Sequence, residues 1–215
     1  MNYFAHGMRF VDRPYFLVGT AIPDWMSVVD RRVRLRSKFV QPFAVETGTP
    51  ESELAAGILQ HLSDDGWFHK TSAFAIASAE LTILFRDALP ADEGHRPSFL
   101  GHILTEMLLD AALIDQQPDL LSRYYDAFAN IDAGIVETAI NQMVKVPTDR
   151  LHGFIPLFVR ERFLTDYGDP ARLLYRLNQV LRRVGLTPLP AGFDTVLVEA
   201  RGVINRHRPG LLPGW

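Results

Sequence analysis

Cysteine is absent from all 215 residues. That removes disulfides, cysteine-ligated zinc, iron–sulfur clusters and thiol nucleophiles together. Internal repeats and low-complexity segments are also missing, so solenoids and flexible tethers are excluded. Neither a glycine-rich phosphate loop nor a dinucleotide fingerprint occurs, and no nucleotide cofactor is expected. The longest apolar run near the start, Pro14–Pro23, spans ten residues. A membrane span needs about 20, and the basic start and small-residue cleavage site of a signal peptide are lacking. The chain is expected to be soluble and cytoplasmic, without a membrane span. A net charge of −3 offers no surplus of positive charge for a polyanion, so no nucleic-acid partner is expected.

What is present is an ordinary globular composition, 47% hydrophobic and 22% charged. A chain of this size buries about 70% of its extended surface, enough for a full core. The charge is unevenly distributed. Residues 1–150 carry 13 basic and 20 acidic groups, whereas residues 151–215 carry 9 and 5. The basic residues of that tail are all arginines, a residue suited to phosphate or carboxylate recognition, although most such arginines simply lie on solvated helix faces.

Helical periodicity dominates. Short apolar helices are expected over 2–10 and 14–22, the second stopped at Ile22-Pro23 because a residue before proline avoids the helical region. Residues 24–48 are the least regular, and Arg32 to Arg36 alternate like a short exposed strand with nothing to pair with. Thr49-Pro50-Glu51 supplies a capping hydroxyl, a first-position proline and an early acid. That helix should run to about Lys70. Further helices are expected over 71–89 and 98–114, with four or five more between Gln117 and Arg208. The expected fold is a single all-α domain over 1–215. Residues 1–115 would hold the functional site, and 116–215 would form a helical half of unassigned role.

Two of these helices place polar residues where a core stripe should continue. After Pro50 the stripe reads Leu54, Ile58, His61, Leu62, Asp65, His69, and in the later helix Phe99, His102, Ile103, Glu106, Asp110, Leu113. Spacings of three and four share one helix face. Burying such groups unpartnered costs several kcal/mol. Each stripe contains a His-x-x-x-carboxylate pair able to converge on one ion, and imidazole with carboxylate is a usual ligand set for zinc, manganese or iron. His61, Asp65, His69, His102 and Glu106 are therefore candidate metal ligands. Asp110 is a candidate catalytic residue behind them, and Asp64 lies one residue off the stripe. By itself His6 reads as a core histidine and Asp24 as a helix cap. His95 and His207, in Gly-His-Arg-Pro and Arg-His-Arg-Pro contexts, read as exposed loops.

The opening Met1-Asn-Tyr-Phe-Ala-His6, the segment Gly19-Thr-Ala-Ile-Pro-Asp24 and His61-x-x-x-Asp65 together resemble the acyl carrier protein phosphodiesterases. His61, Asp65, His69, His102 and Glu106 also match, in kind and order, the helical zinc-dependent phospholipase C and single-strand nuclease superfamily. No histidine stands between His6 and His61, where the secreted phospholipases have one. The resemblance covers about residues 1–110 and implies that His6 and Asp24 join the ligand set. It implies two or three divalent ions, zinc first and manganese or iron as alternatives. It also implies a phosphoester substrate, with an acidic carrier protein as a possible partner. Asp65 is then the catalytic carboxylate best suited to bridge two ions. His6, Asp24 and His61 would complete one ion, and His69, His102 and Glu106 the other. Arg31, Arg32, Arg34 and Arg36, or one of the tail arginines, are candidates to bind the substrate's phosphate or an acidic partner. The alternatives are another helical metalloenzyme, such as a di-iron oxygenase, whose Glu-x-x-His pairs are absent, or a non-catalytic interaction module.

Overall fold

The computed structural model describes residues 1–45, 48–91 and 93–213, and among them no strand occurs. The all-α class read from the sequence is the class observed. In chain order the α-helices are α1 (Tyr3–Gly7), α2 (Pro14–Val29), α3 (Ser37–Val40), α4 (Pro50–Phe68), α5 (Ser72–Ala88), α6 (Pro97–Gln116), α7 (Pro118–Ala129), α8 (Ala133–Met143), α9 (Leu151–Glu161), α10 (Pro170–Arg183) and α11 (Asp194–Leu211). Short 3-10 turns occupy Met8–Phe10, Gln41–Ala44 and Phe163–Gly168. The chain forms two compact units, each discontinuous in sequence: residues 1–66 with 117–162, and 67–116 with 163–215.

The start of α4 follows the local chemistry. The Thr49 hydroxyl accepts from the Ser52 amide at 3.2 Å, and Pro50 takes the first helical position. The helix ends at Phe68, so His69 lies just beyond it. The expected stop at Ile22-Pro23 is not observed, because α2 runs through Pro23 to Val29. A mid-helix proline removes one backbone bond and crowds the carbonyl four residues back. Here that carbonyl belongs to Gly19. Trp25 and Met26, beyond the proline, are 0% and 2% exposed, and their burial offsets the lost bond. Arg32–Arg36 forms irregular backbone rather than a strand.

In the first unit, the indole of Trp25 packs against Phe128, Phe154 and Phe158 at centroid distances of 5.4, 5.7 and 4.9 Å. Tyr124 on α7 meets the Phe4 ring at 5.5 Å and donates its hydroxyl to the Tyr3 carbonyl at 3.1 Å. These contacts hold the five-residue α1, too short to be stable by itself, and with it His6. α2 and α4 cross at two glycines. A Cβ on Gly57 would collide with the Phe16 carbonyl and lie 2.9 Å from the Gly19 Cα.

In the second unit, α5, α6 and α11 pack on one another, with α10 against α11. α6 is long and apolar enough to cross a membrane by length and composition, but 67% of the relevant window is buried inside the protein. The arginine-rich tail neutralises this unit's own acids. Arg172 and Arg176 meet Asp166, Arg201 meets Asp115, and Arg206 meets Glu80.

Candidate metal centres

The first unit brings His6, His61 and Asp65 together, each offering a ligand atom within 4.8 Å of the others. The α2–α4 crossing sets the geometry of His61. It places the Thr20 carbonyl 2.7 Å from His61 Nδ1, which as the N–H donates to it, leaving Nε2 facing Asp65 Oδ2 at 3.4 Å. A carbonyl behind a histidine fixes its tautomer and ring orientation, as at many metal sites. The His6 ring stacks on His61 with centroids 3.9 Å apart. Both His6 nitrogens are buried without a hydrogen bond, although Nε2 lies 3.2 Å from Asp65 Oδ1 and Nδ1 lies 3.5 Å from Asp64 Oδ2. Asp64 is itself oriented by Gln60, whose amide donates to Oδ1 at 2.7 Å. The Met1 ammonium contacts Asp65 Oδ1 at 2.6 Å.

These distances determine the electrostatics. Burial disfavours the His6 imidazolium, but the carboxylates of Asp64 and Asp65, aided at longer range by Asp24, raise its pKa from 6.5 to about 9. Partial burial opposes the Asp65 carboxylate, while His6, His61 and the Met1 ammonium hold it well below the usual carboxylate range. The His6 nitrogens meet these carboxylates at 3.2 and 3.5 Å without hydrogen-bond geometry, which leaves both sides able to take a further partner. A divalent cation fits these residues.

The second unit assembles His69, His102 and Glu106. Both histidines point Nε2 at Glu106 Oε1, His69 at 2.7 Å and His102 at 3.4 Å. Their rings stack 5.1 Å apart, with Phe74 edge-on to each at 4.9 and 5.0 Å. Burial raises the Glu106 pKa, but hydrogen bonds from His102 and His69 outweigh it, and the value falls to about 2. These donors also fit a divalent ion. The histidines are more open than in the first unit, with His102 51% and His69 33% exposed, whereas Glu106 at 16% is less exposed than Asp65 at 33%.

Asp24 and Asp110 join neither group among the described residues. Asp24 is half-buried on α2 and acts on His6 through its charge. Asp110 is fully buried in α6. Asp64 belongs to the His6 environment although it lies off the α4 stripe, because the ring it faces arrives from another helix. The reading of His95 and His207 as exposed loops is corrected. His207 lies within α11 and bonds Glu80 Oε2 at 2.7 Å, because that helix continues through Pro209. The His95 side chain is 3% exposed, 3.4 Å from Glu93, because the loop turns back on itself through Gly94 at φ +73°.

No protein-family model, no curated protein and no solved structure matches this chain.

Proposed function

We propose that the chain is a metal-dependent phosphoesterase that binds one divalent ion, zinc first among the candidates, at each group. The observation that carries this reading is the separate convergence of two imidazoles and a carboxylate in each unit. A divalent ion so held supplies a Lewis acid for phosphoryl oxygens and a water that ionises near neutral pH. The chain's own residues do the rest. Thr20 holds His61 in the tautomer that presents Nε2, Asp64 and Asp65 flank His6, and Glu106 draws His69 and His102 to one point. No serine, threonine or cysteine nucleophile with an adjacent base is needed for such hydrolysis.

An acidic carrier protein is the proposed macromolecular partner. Arg34 and Arg36 are exposed and form no ion pair among the described residues, and Lys38 and Lys145 both lie over the Phe39 ring, at 5.0 and 5.2 Å. Arg32 is unsuited to that role, since Asp30 already binds its guanidinium at 2.7 and 2.9 Å.

A second reading, a non-catalytic interaction module whose polar groups satisfy one another, is favoured by the direct His69–Glu106 contact at 2.7 Å. Metal analysis separates the two. The phosphoesterase reading expects close to two ions per purified chain, with about one lost in each of His61→Ala and His102→Ala. It also expects hydrolysis of bis-p-nitrophenyl phosphate by zinc- or manganese-loaded protein. Absence of bound metal after reconstitution would establish the second reading.

A further inference from the structure

We propose that substrate binds at the second unit's group, through the groove at the start of α6, and that it is a small phosphoester with an aryl or aliphatic substituent. The assignment rests on the phosphoesterase reading and adds where substrate sits and what it carries.

The two groups differ in openness. In the first unit the His6 and His61 side chains are 0% and 3% exposed, and Asp64 and the Thr20 carbonyl already face the remaining ring nitrogens. Both groups offer three ligand atoms, so an ion at either would keep a position open, and what separates them is the access of solvent to their histidines. In the second unit His102 is half exposed. It is also a wall of a cavity of about 620 Å³, within the range of about 300–1,000 Å³ usual for small-molecule sites.

The other walls give the ligand its character. Arg96 contributes a cation that has no carboxylate partner among the described residues. Phe99, Val184 and Leu186 contribute apolar surface, with Val184 42% exposed although nothing polar requires it. That second wall exists because α10 ends in a glycine turn. Gly185 adopts φ +74°, and the Leu186 amide donates back to the Leu181 carbonyl at 2.9 Å, turning Val184 and Leu186 toward the groove. A phosphate beside His102 and Arg96 would leave its substituent on Phe99, Val184 and Leu186. An inorganic anion alone would not use that apolar surface.

The test uses full-length, zinc-loaded protein titrated with inorganic phosphate and with phenyl phosphate, followed by calorimetry and amide NMR. Both should bind, phenyl phosphate about tenfold more tightly for its buried ring, with shifts centred on Phe99, His102 and 184–186. Arg96→Ala should weaken both by about tenfold, the loss of one charge-assisted contact. Phe99→Ala should remove most of the advantage of phenyl phosphate. Binding that is unchanged in both variants, shifts that centre elsewhere, or no binding at all would overturn the proposal. Turnover of bis-p-nitrophenyl phosphate is read separately. Hydrolysis with an indifferent groove removes this inference alone, whereas groove binding without turnover of any phosphoester removes the phosphoesterase reading and leaves the groove a phosphate-binding site without a substrate.

Discussion

Two glycines in α4 should respond to alanine with opposite signs, and the difference reports on how the fold positions the first group. At Gly57 a Cβ meets the Phe16 carbonyl and lies 2.9 Å from the Gly19 Cα. Carbon atoms rest comfortably about 3.5–4.0 Å apart, so α2 and α4 must separate by roughly 1 Å. The His61–Thr20 bond, 2.7 Å long, would then stretch beyond hydrogen-bonding distance. Overpacking costs about 1–3 kcal/mol and the lost bond about 1 kcal/mol, against a gain of about 1 kcal/mol from replacing glycine within a helix. Gly57→Ala should therefore destabilise by about 1–3 kcal/mol and weaken metal binding about tenfold or more by freeing the His61 ring. Gly66, in the same helix, has nothing within 4 Å of its Cβ position. Gly66→Ala should stabilise by about 0.5–1 kcal/mol and leave metal affinity unchanged. Urea unfolding in chelator, followed by circular dichroism, gives both stabilities, and a zinc titration gives the affinities. A Gly57→Ala protein as stable as wild type, or one that binds zinc equally well, would refute the account of the crossing.

Other outcomes follow from the charges. In metal-free protein the His6 pKa, raised from 6.5 to about 9, makes a stabilising contribution that is complete below pH 6.5 and lost as pH rises through 9. At about 1.36 kcal/mol per pH unit this is worth about 3 kcal/mol. Zinc requires His6 neutral, so its stabilising effect should grow over the same window and offset that loss, and unfolding at pH 6 and pH 9 should show metal-free protein weakening while loaded protein stays nearly level. Parallel trends would remove His6 from the ligand set. Glu106→Gln, in the group that faces the groove, should abolish phosphoester hydrolysis, whereas Asp110→Asn, outside both groups among the described residues, should cost only about 10–100-fold. Equal losses in the rate assay would contradict the difference in placement. Arg34→Glu with Arg36→Glu should slow association of an acidic carrier protein and flatten its salt dependence while leaving turnover of a small phosphoester intact. Surface plasmon resonance at two salt concentrations tests this, and unchanged association would dismiss the basic segment as a docking site.

Much of the fold was legible because its signals are local. Thr49 and Pro50 start α4 where capping chemistry places it, and Pro118 and Pro170 each open a helix. Pro23 misled because burial of Trp25 and Met26 is a tertiary effect that a local rule against proline does not contain. The His61–Asp65 and His102–Glu106 pairs were visible as period-four interruptions of apolar stripes. His6 was visible only through resemblance, since α1 is five residues long and shows no periodicity. Asp64 stands one residue off the stripe because helical spacing compares residues within one helix, whereas the His6 ring comes from another. The division of the ligands between two units, each assembled from separated segments, is a property of packing that no spacing encodes.

Charge arithmetic at the two groups bears independently on where an anionic substrate goes. In the first unit, Asp64 and Asp65 both face His6 and the Met1 ammonium contacts Asp65, so a divalent ion that displaces the His6 proton would bring three positive charges, met by the carboxylates of Asp64, Asp65 and, at longer range, Asp24. Such a centre has little attraction for a phosphate anion. In the second unit, Glu106 is the single carboxylate grouped with the two imidazoles among the described residues, so a divalent ion there keeps one positive charge. Arg96 at the adjoining groove adds another. Within a partly desolvated cleft an uncompensated charge acts with an effective dielectric constant nearer 20 than 80, and at about 4 Å it attracts an anion by several kcal/mol. Openness and charge therefore select the same group. The buried group has the balance expected of an ion that fastens α1 to α4, and the exposed one has the surplus expected of an ion that meets a phosphoester.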